Sequence, residues 1–113
     1  MSGYFEISKA SNGEFRFVLK AGNHETILTS ETYKNRAGAE NGIASIGKNC
    51  ENDARYERKT ATNGKEYFVL KAGNHQVIGM SQMYASAAAR ESGIESVKAN
   101  GTSSTVKDAT AVA

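Results

Sequence analysis

The octapeptide Phe17-Val18-Leu19-Lys20-Ala21-Gly22-Asn23-His24 recurs, residue for residue, at Phe68-Val69-Leu70-Lys71-Ala72-Gly73-Asn74-His75. The copies stand 51 residues apart. The same shift aligns residues 5–49 with 56–100 without a gap, and 21 of those 45 pairs are identical. Retained pairs outside the octapeptide include Gly13/Gly64, Ile27/Ile78, Ser30/Ser81, Tyr33/Tyr84, Gly42/Gly93 and Ile43/Ile94. Two copies are too few for a solenoid, which needs at least three. A unit of about 50 residues is also too small to bury much core alone. One domain over residues 1–113 is therefore expected, with repeat one (4–51) and repeat two (55–108) completing each other about a pseudo-two-fold axis. The halves would pack face to face or join edge to edge. Residues 109–113 have nothing to hold them and are expected to fray.

Within a unit, Tyr4 to Ser8 alternates as a strand does, with Phe5 and Ile7 on one side. Ser11-Asn12-Gly13 is turn chemistry, since Asn and Gly accept positive φ. Phe15 to Lys20 is a second strand, carrying Phe15, Phe17 and Leu19 on one face and Arg16, Val18 and Lys20 on the other. Gly22-Asn23 marks a hairpin turn into a third strand, Glu25 to Ser30. A two-residue turn would pair Val18 with Ile27, whereas a bulged turn would bring Ile27 onto the Phe17 face. Asn35 and Ser86 are suited to N-cap a following helix. Ala39, Ile43 and Ile46 form its apolar stripe, repeated by Ile94 and Val97. Asn49 and Asn100 are expected to close the helices in the left-handed conformation. Ala54 to Thr60 opens the second unit, and Ser104 to Asp108 is a candidate short closing strand. The unit reads β-β-β-α plus a short strand, an α+β class.

The remaining composition mainly excludes. There are 14 Lys and Arg against 12 Asp and Glu, two His, one Cys, and neither Pro nor Trp. The first 51 residues balance six positive against six negative side chains, and the rest carry eight against six. That is too little charge to argue for a polyanion partner. Cys50 has no intramolecular disulfide partner, which suits a reducing compartment, and a cytoplasmic location is expected. No apolar run is long enough to span a bilayer, the first residues lack a signal-peptide pattern, and no membrane association is expected.

The tandem FVLKAGNH motifs, the segments ILTSETY and VIGMSQMY, and the ending SVKANGTSSTVKDAT resemble the YegP-like family of small duplicated bacterial proteins, whose function is not established. The resemblance covers about residues 3–110. It implies two β-β-β-α-β repeats forming one shared, antiparallel-rich sheet with two helices, the last strand of each repeat exchanged into the other. It carries over no catalytic residue.

The copies differ instructively. Ile7 corresponds to Arg58, and Phe15 to Glu66. If the first hairpin pairs Phe5 with Phe17, it pairs Ile7 with Phe15, and its copy pairs Arg58 with Glu66. An apolar cross-strand pair would then have become an ionic one. Gly42 and Gly93 sit inside helices at a cost of about 1 kcal/mol each against Ala, so close packing is expected there. Tyr33 and Tyr84 should pack at the helix entries.

Candidate chemistry is sparse. His24 and His75 with Cys50 lack a zinc-ligand spacing, and the turn histidines are expected to have solvated rings. Cys50 has no local base to activate it, and its copy is Gly101. Glu6, Glu57, Glu40 and Glu91 read as solvated carboxylates rather than an acid–base pair. The Ala-Gly-Asn-His turn joins two strands, unlike a phosphate loop. No catalytic residue, metal or cofactor is expected. A monomeric, non-enzymatic binding or interaction module with a protein partner is the leading expectation. Arg16, Lys20, Tyr67 and Lys71, on one strand face, are the candidate binding residues. Weak nucleic-acid binding on that face, by stacking on an aromatic flanked by cations, is the alternative.

Overall fold

A computed structural model describes residues 3–109. The strands are β1 (Tyr4–Lys9), β2 (Phe15–Lys20), β3 (Thr26–Ser30), β4 (Tyr56–Thr60), β5 (Glu66–Lys71), β6 (Val77–Met80) and β7 (Val106–Asp108). The helices α1 (Arg36–Asn49) and α2 (Ala87–Asn100) follow β3 and β6. All seven strands share one sheet, in the order β4-β5-β6-β3-β2-β1-β7. Every pairing is antiparallel except that of β7 with β1. The repeats therefore join edge to edge, through β3 and β6. At that seam Thr29 pairs with Met80, its own counterpart 51 residues on, as a two-fold relation between the repeats requires.

Alternation decides which face is covered. Phe5, Ile7, Phe17, Leu19, Phe68 and Leu70 point to one side and are fully buried there with Ile46, Ile94 and Val97 from the helices. Both helices lie on that side. α1 packs on its own β2 and reaches β5 and β6, while α2 packs on β5 and reaches β2 and β3. Each helix thus closes the core of both repeats. Asn35 and Ser86 cap the helices as expected, accepting from the Gly38 and Ala89 N–H groups at 2.8 and 3.1 Å. Tyr33 and Tyr84 are bridged to Phe15 and Glu66 and stack on Phe17 and Phe68 at 6.2 and 6.4 Å. A Cβ on Gly42 would lie 2.6 Å from Tyr33 Oη, and one on Gly93 would overlap Tyr84 Oη. The helical glycines thus admit the tyrosine rings. The retained Ser30 and Ser81 have a matching role, each accepting from the N–H of Phe17 or Phe68 at 2.9 and 3.0 Å.

Four hairpins share one turn. Its sequence is Ala-x-Asn followed by Gly13, His24, Gly64 or His75 in the left-handed region, at φ between 68° and 84°. In each, the fourth residue's N–H donates to the Ala carbonyl, and Asn Oδ1 accepts the N–H two residues on. The octapeptide hairpin is the bulged alternative: Leu19 pairs with Leu28 and Lys20 with Thr26, which leaves Ile27 in the bulge, buried in the core.

Two expectations are corrected. First, β1 pairs Phe5 with Leu19 and Ile7 with Phe17, one two-residue step from the expected register. Arg58 therefore opposes Phe68, and Glu66 opposes Thr60. The two charges do not face each other but meet α2 instead. Arg58 donates to both Glu91 oxygens at 2.8 and 2.9 Å, and Arg90 donates to Glu66 at 2.7 Å. Arg90 replaces the buried Ala39 of repeat one, so an apolar trio (Ile7, Phe15, Ala39) has become a charged one. Second, the helices end with Cys50 and Gly101 in right-handed conformation. Asn49 and Asn100 stay helical, and their side chains donate back to Ser45 O and Ser96 O. They also accept from Arg55 Nε and the Gly3 N–H, which outweighs a left-handed cap. At the start of the tail expected to fray, Ala109 donates to Ile7 O at 2.7 Å; residues 110–113 lie outside the described residues.

Candidate functional site

The face opposite the helices carries no covering element among the described residues. Side chains there come from the odd positions of β4 and β5 and the even positions of β1 and β2. Their register lines up one row across the sheet: Glu57, Val69, Met80, Thr29, Val18, Glu6, Lys107. Val69, Met80 and Val18 make the middle of the row largely apolar, around the single hydroxyl of Thr29. Met80 is 46% exposed, while Val69 beside it is nearly covered. A shallow depression of about 390 Å³ opens next to Met80, lined by Lys59, Tyr67, Val69, Val77 and Gly79.

The four expected binding residues all lie on this face but do not converge. β2 and β5 are separated by β6 and β3, which places them ~14 Å apart at about 4.8 Å per strand step. Arg16 and Lys71 flank the apolar row on one side, and Lys20 and Tyr67 on the other. Lys20 pairs with Glu6 at 3.6 Å, and Lys71 with Glu57 at 2.5 Å. The Lys71 ammonium, helped by Lys59, holds the Glu57 carboxyl below its ordinary value. Both lysines are therefore neutralised within the face, whereas Arg16 is exposed without an ion-pair partner among the described residues. Sequence reasoning missed the apolar patch that Val18, Val69 and Met80 form around Thr29. Strand alternation did place Val18 and Val69 on this face. Only the β3–β6 seam brings them into one patch.

The remaining candidate groups do not assemble a reactive centre. Among the described residues, no three His, Cys, Asp or Glu side chains are grouped to hold a metal ion. Cys50 is fully buried. Burial, then the Glu51 charge, pushes its thiol up from the ordinary value. The His24 ring is not simply solvated, because it shares a 2.9 Å hydrogen bond with the Tyr4 hydroxyl. Arg55 takes the Tyr4 position in repeat two, and His75 has no such contact among the described residues.

A family model described as a domain of unknown function, DUF1508, matches the chain twice, over residues 10–57 and 61–108. The chain belongs to this family. In DUF1508 terms, each matched unit starts in the first hairpin turn and ends in β4 or β7. The strand that closes the first unit, β4, thus pairs with β5 of the second. The UPF0339 protein YegP of Escherichia coli (strain K12) is 66% identical over 110 residues, covering 97% of this chain and 100% of that relative. The solution NMR structure of E. coli yegP, described as a protein of unknown function, superposes with a TM-score of 0.94 at 65% identity, covering 100% of this chain and 97% of that one. A UPF0339 protein from Shewanella oneidensis, also solved by NMR, gives 0.92 at 58% identity, covering 97% of this chain and 93% of that one. No helix among the described residues is long and apolar enough to cross a membrane.

Proposed function

We propose that the chain is a non-enzymatic binding module that seats a protein partner on the helix-free face of its sheet. The observation that carries this reading is the distribution of polarity there. An apolar centre around Met80 is bordered by lysines that the face's own carboxylates neutralise. Such a surface favours an apolar patch with a polar rim over a phosphate backbone. The same reading has the chain acting as a monomer in the cytoplasm, in keeping with its one buried, unpaired thiol.

Met80→Asp should abolish capture of the partner by the immobilised chain. Met83→Asp, at an exposed position outside the strands, should leave it unchanged. Capture that is indifferent to Met80→Asp would overturn the reading, as would failure to recover any partner.

Weak nucleic-acid binding is the second reading. Tyr67 opposes Lys59 in the ladder, which offers a ring beside a cation for stacking. Salt-sensitive retention on single-stranded DNA or RNA would support it. Glu6 and Glu57 on the same face oppose it.

A further inference from the structure

Two clefts on the helix side of the sheet are related by the repeat. One, about 360 Å³, is lined by Glu31, Tyr33, Asn41 and Ser45 from repeat one, and by Asn74 and Gln76 from the octapeptide hairpin of repeat two. The other, about 210 Å³, is lined by Gln82, Tyr84, Ser92 and Ser96, with Asn23 and Glu25 from the hairpin of repeat one. These are the same positions shifted by 51. Each cleft exists only because a helix of one repeat lies beside the hairpin turn of the other. The first is larger where Gly38 stands in place of Ala89.

Three features make them more than surface relief. Among the described residues, no Lys, Arg or His lines either cleft. Each has one carboxylate and one carboxamide at exchanged positions: Glu31 with Gln76, and Glu25 with Gln82. The duplicated site has thus kept a single negative charge while its carrier moved from strand end to hairpin. That charge is uncompensated. Eight acidic side chains meet a cation, but Glu25 and Glu31 meet none among the described residues. Finally, the Tyr33 and Tyr84 hydroxyls line the clefts without a hydrogen-bond partner among those residues. Burial and then the Glu31 charge push the Tyr33 phenol up, so it remains a donor.

We propose that the two clefts bind a small organic molecule bearing a primary ammonium group and hydroxyl substituents, one equivalent in each. The unpaired carboxylate receives the ammonium. The tyrosine, serine, asparagine and glutamine side chains hydrogen-bond the hydroxyls, and Ile78 or Ile27 lies beneath the carbon skeleton. An anionic ligand finds no counter-charge there.

The test is an amide chemical-shift titration at about pH 6, where aliphatic amines are protonated. The probes are ethanolamine and glucosamine, with ethylene glycol and N-acetylglucosamine as their uncharged controls. Saturable shifts at the Gly42 and Ser45 amides and at the Gly93 and Ser96 amides are expected with at least one amine, and much weaker ones with its control. Glu31→Gln should weaken binding about three- to fivefold at the first cleft only, the scale of a solvent-exposed ion pair. Glu25→Gln should do the same at the second. Absence of saturable shifts with both amines would overturn the proposal. So would an equal response to the uncharged controls, or indifference to both substitutions.

Discussion

Replacing Gly93 with Ala separates two opposing effects. Ala is the better helix former by about 1 kcal/mol. Yet a Cβ on Gly93 would lie 2.6 Å from Tyr84 Cζ and 3.1 Å from Cε2, against a carbon–carbon optimum of about 3.5–4.0 Å. The ring has nowhere cheap to go. It stacks on Phe68 with an interplanar angle of 9°, and the Tyr84 backbone is tied to Glu66 by hydrogen bonds of 2.7 and 2.9 Å. Overpacking of this kind costs about 1–3 kcal/mol, so a net loss of up to about 2 kcal/mol is expected. Gly47 provides the control. A Cβ there meets only Gly101 O at 3.6 Å, so Gly47→Ala should gain up to about 1 kcal/mol. Urea unfolding followed by circular dichroism measures both, and an unchanged m-value certifies the comparison. The gap between the two variants isolates the clash. If Gly93→Ala stabilises as much as Gly47→Ala, the close-packing account is refuted. Truncating the ring with Tyr84→Ala should remove the penalty, so a double-mutant cycle without coupling would refute it equally.

Arg90→Ala alone leaves the half-buried Glu66 carboxylate without a cation and with only the Thr60 hydroxyl donating to it, and should cost about 1–2 kcal/mol. Transplanting the repeat-one residues together (Arg58→Ile, Glu66→Phe, Arg90→Ala) should be neutral or stabilising, as read from thermal unfolding. The acids of this network also set a pH dependence. Arg58 first, then Lys98 or Arg90, holds Asp53 and Glu91 below their ordinary values. Their contribution is complete above those ordinary values and fades as pH falls through the lowered ones, so stability should drop below about pH 4.5; the transplanted variant, which lacks Arg58, should show a shallower drop. His75→Gly should stabilise by about 1 kcal/mol by relieving a left-handed φ of 68°. His24→Gly should gain less, because it forfeits the Tyr4 contact, and equal gains would remove the energetic role of that contact. Cys50 should resist iodoacetamide in the folded protein at pH 8 and react on unfolding; rapid labelling of the native chain would contradict its burial.

What the sequence disclosed depended on the range of the interaction involved. β2 was readable to the residue because alternation and turn residues bound it on both sides. The N-caps were readable because their chemistry is local. The register of the first hairpin was not, since pairing Phe5 with Phe17 or with Leu19 keeps every side chain on the same face. The choice is made by the five-residue turn Ala10–Glu14, with Gly13 left-handed. The helix ends were misread because Asn49 and Asn100 find partners in Arg55 and Gly3, the latter 97 residues away. The helix-free face was legible as a set of residues but not as a surface. Nothing in β2 or β5 alone says that they flank a β3–β6 seam, or that Glu6 and Glu57 take up the lysines.

Cys50 and Gly101 occupy equivalent positions and meet each other, a Cβ on Gly101 falling 2.8 Å from the Cys50 sulfur. In an assembly of two identical halves, a residue on the dyad faces its own twin, and any gain in bulk is doubled in the same place. Fusing the halves into one chain lifts that restriction. One copy can then enlarge while the other shrinks, and the centre fills with a mismatched pair that no symmetric dimer could hold. Variation at such positions is therefore coupled between repeats, and either residue changed alone should be tolerated less well than both exchanged together.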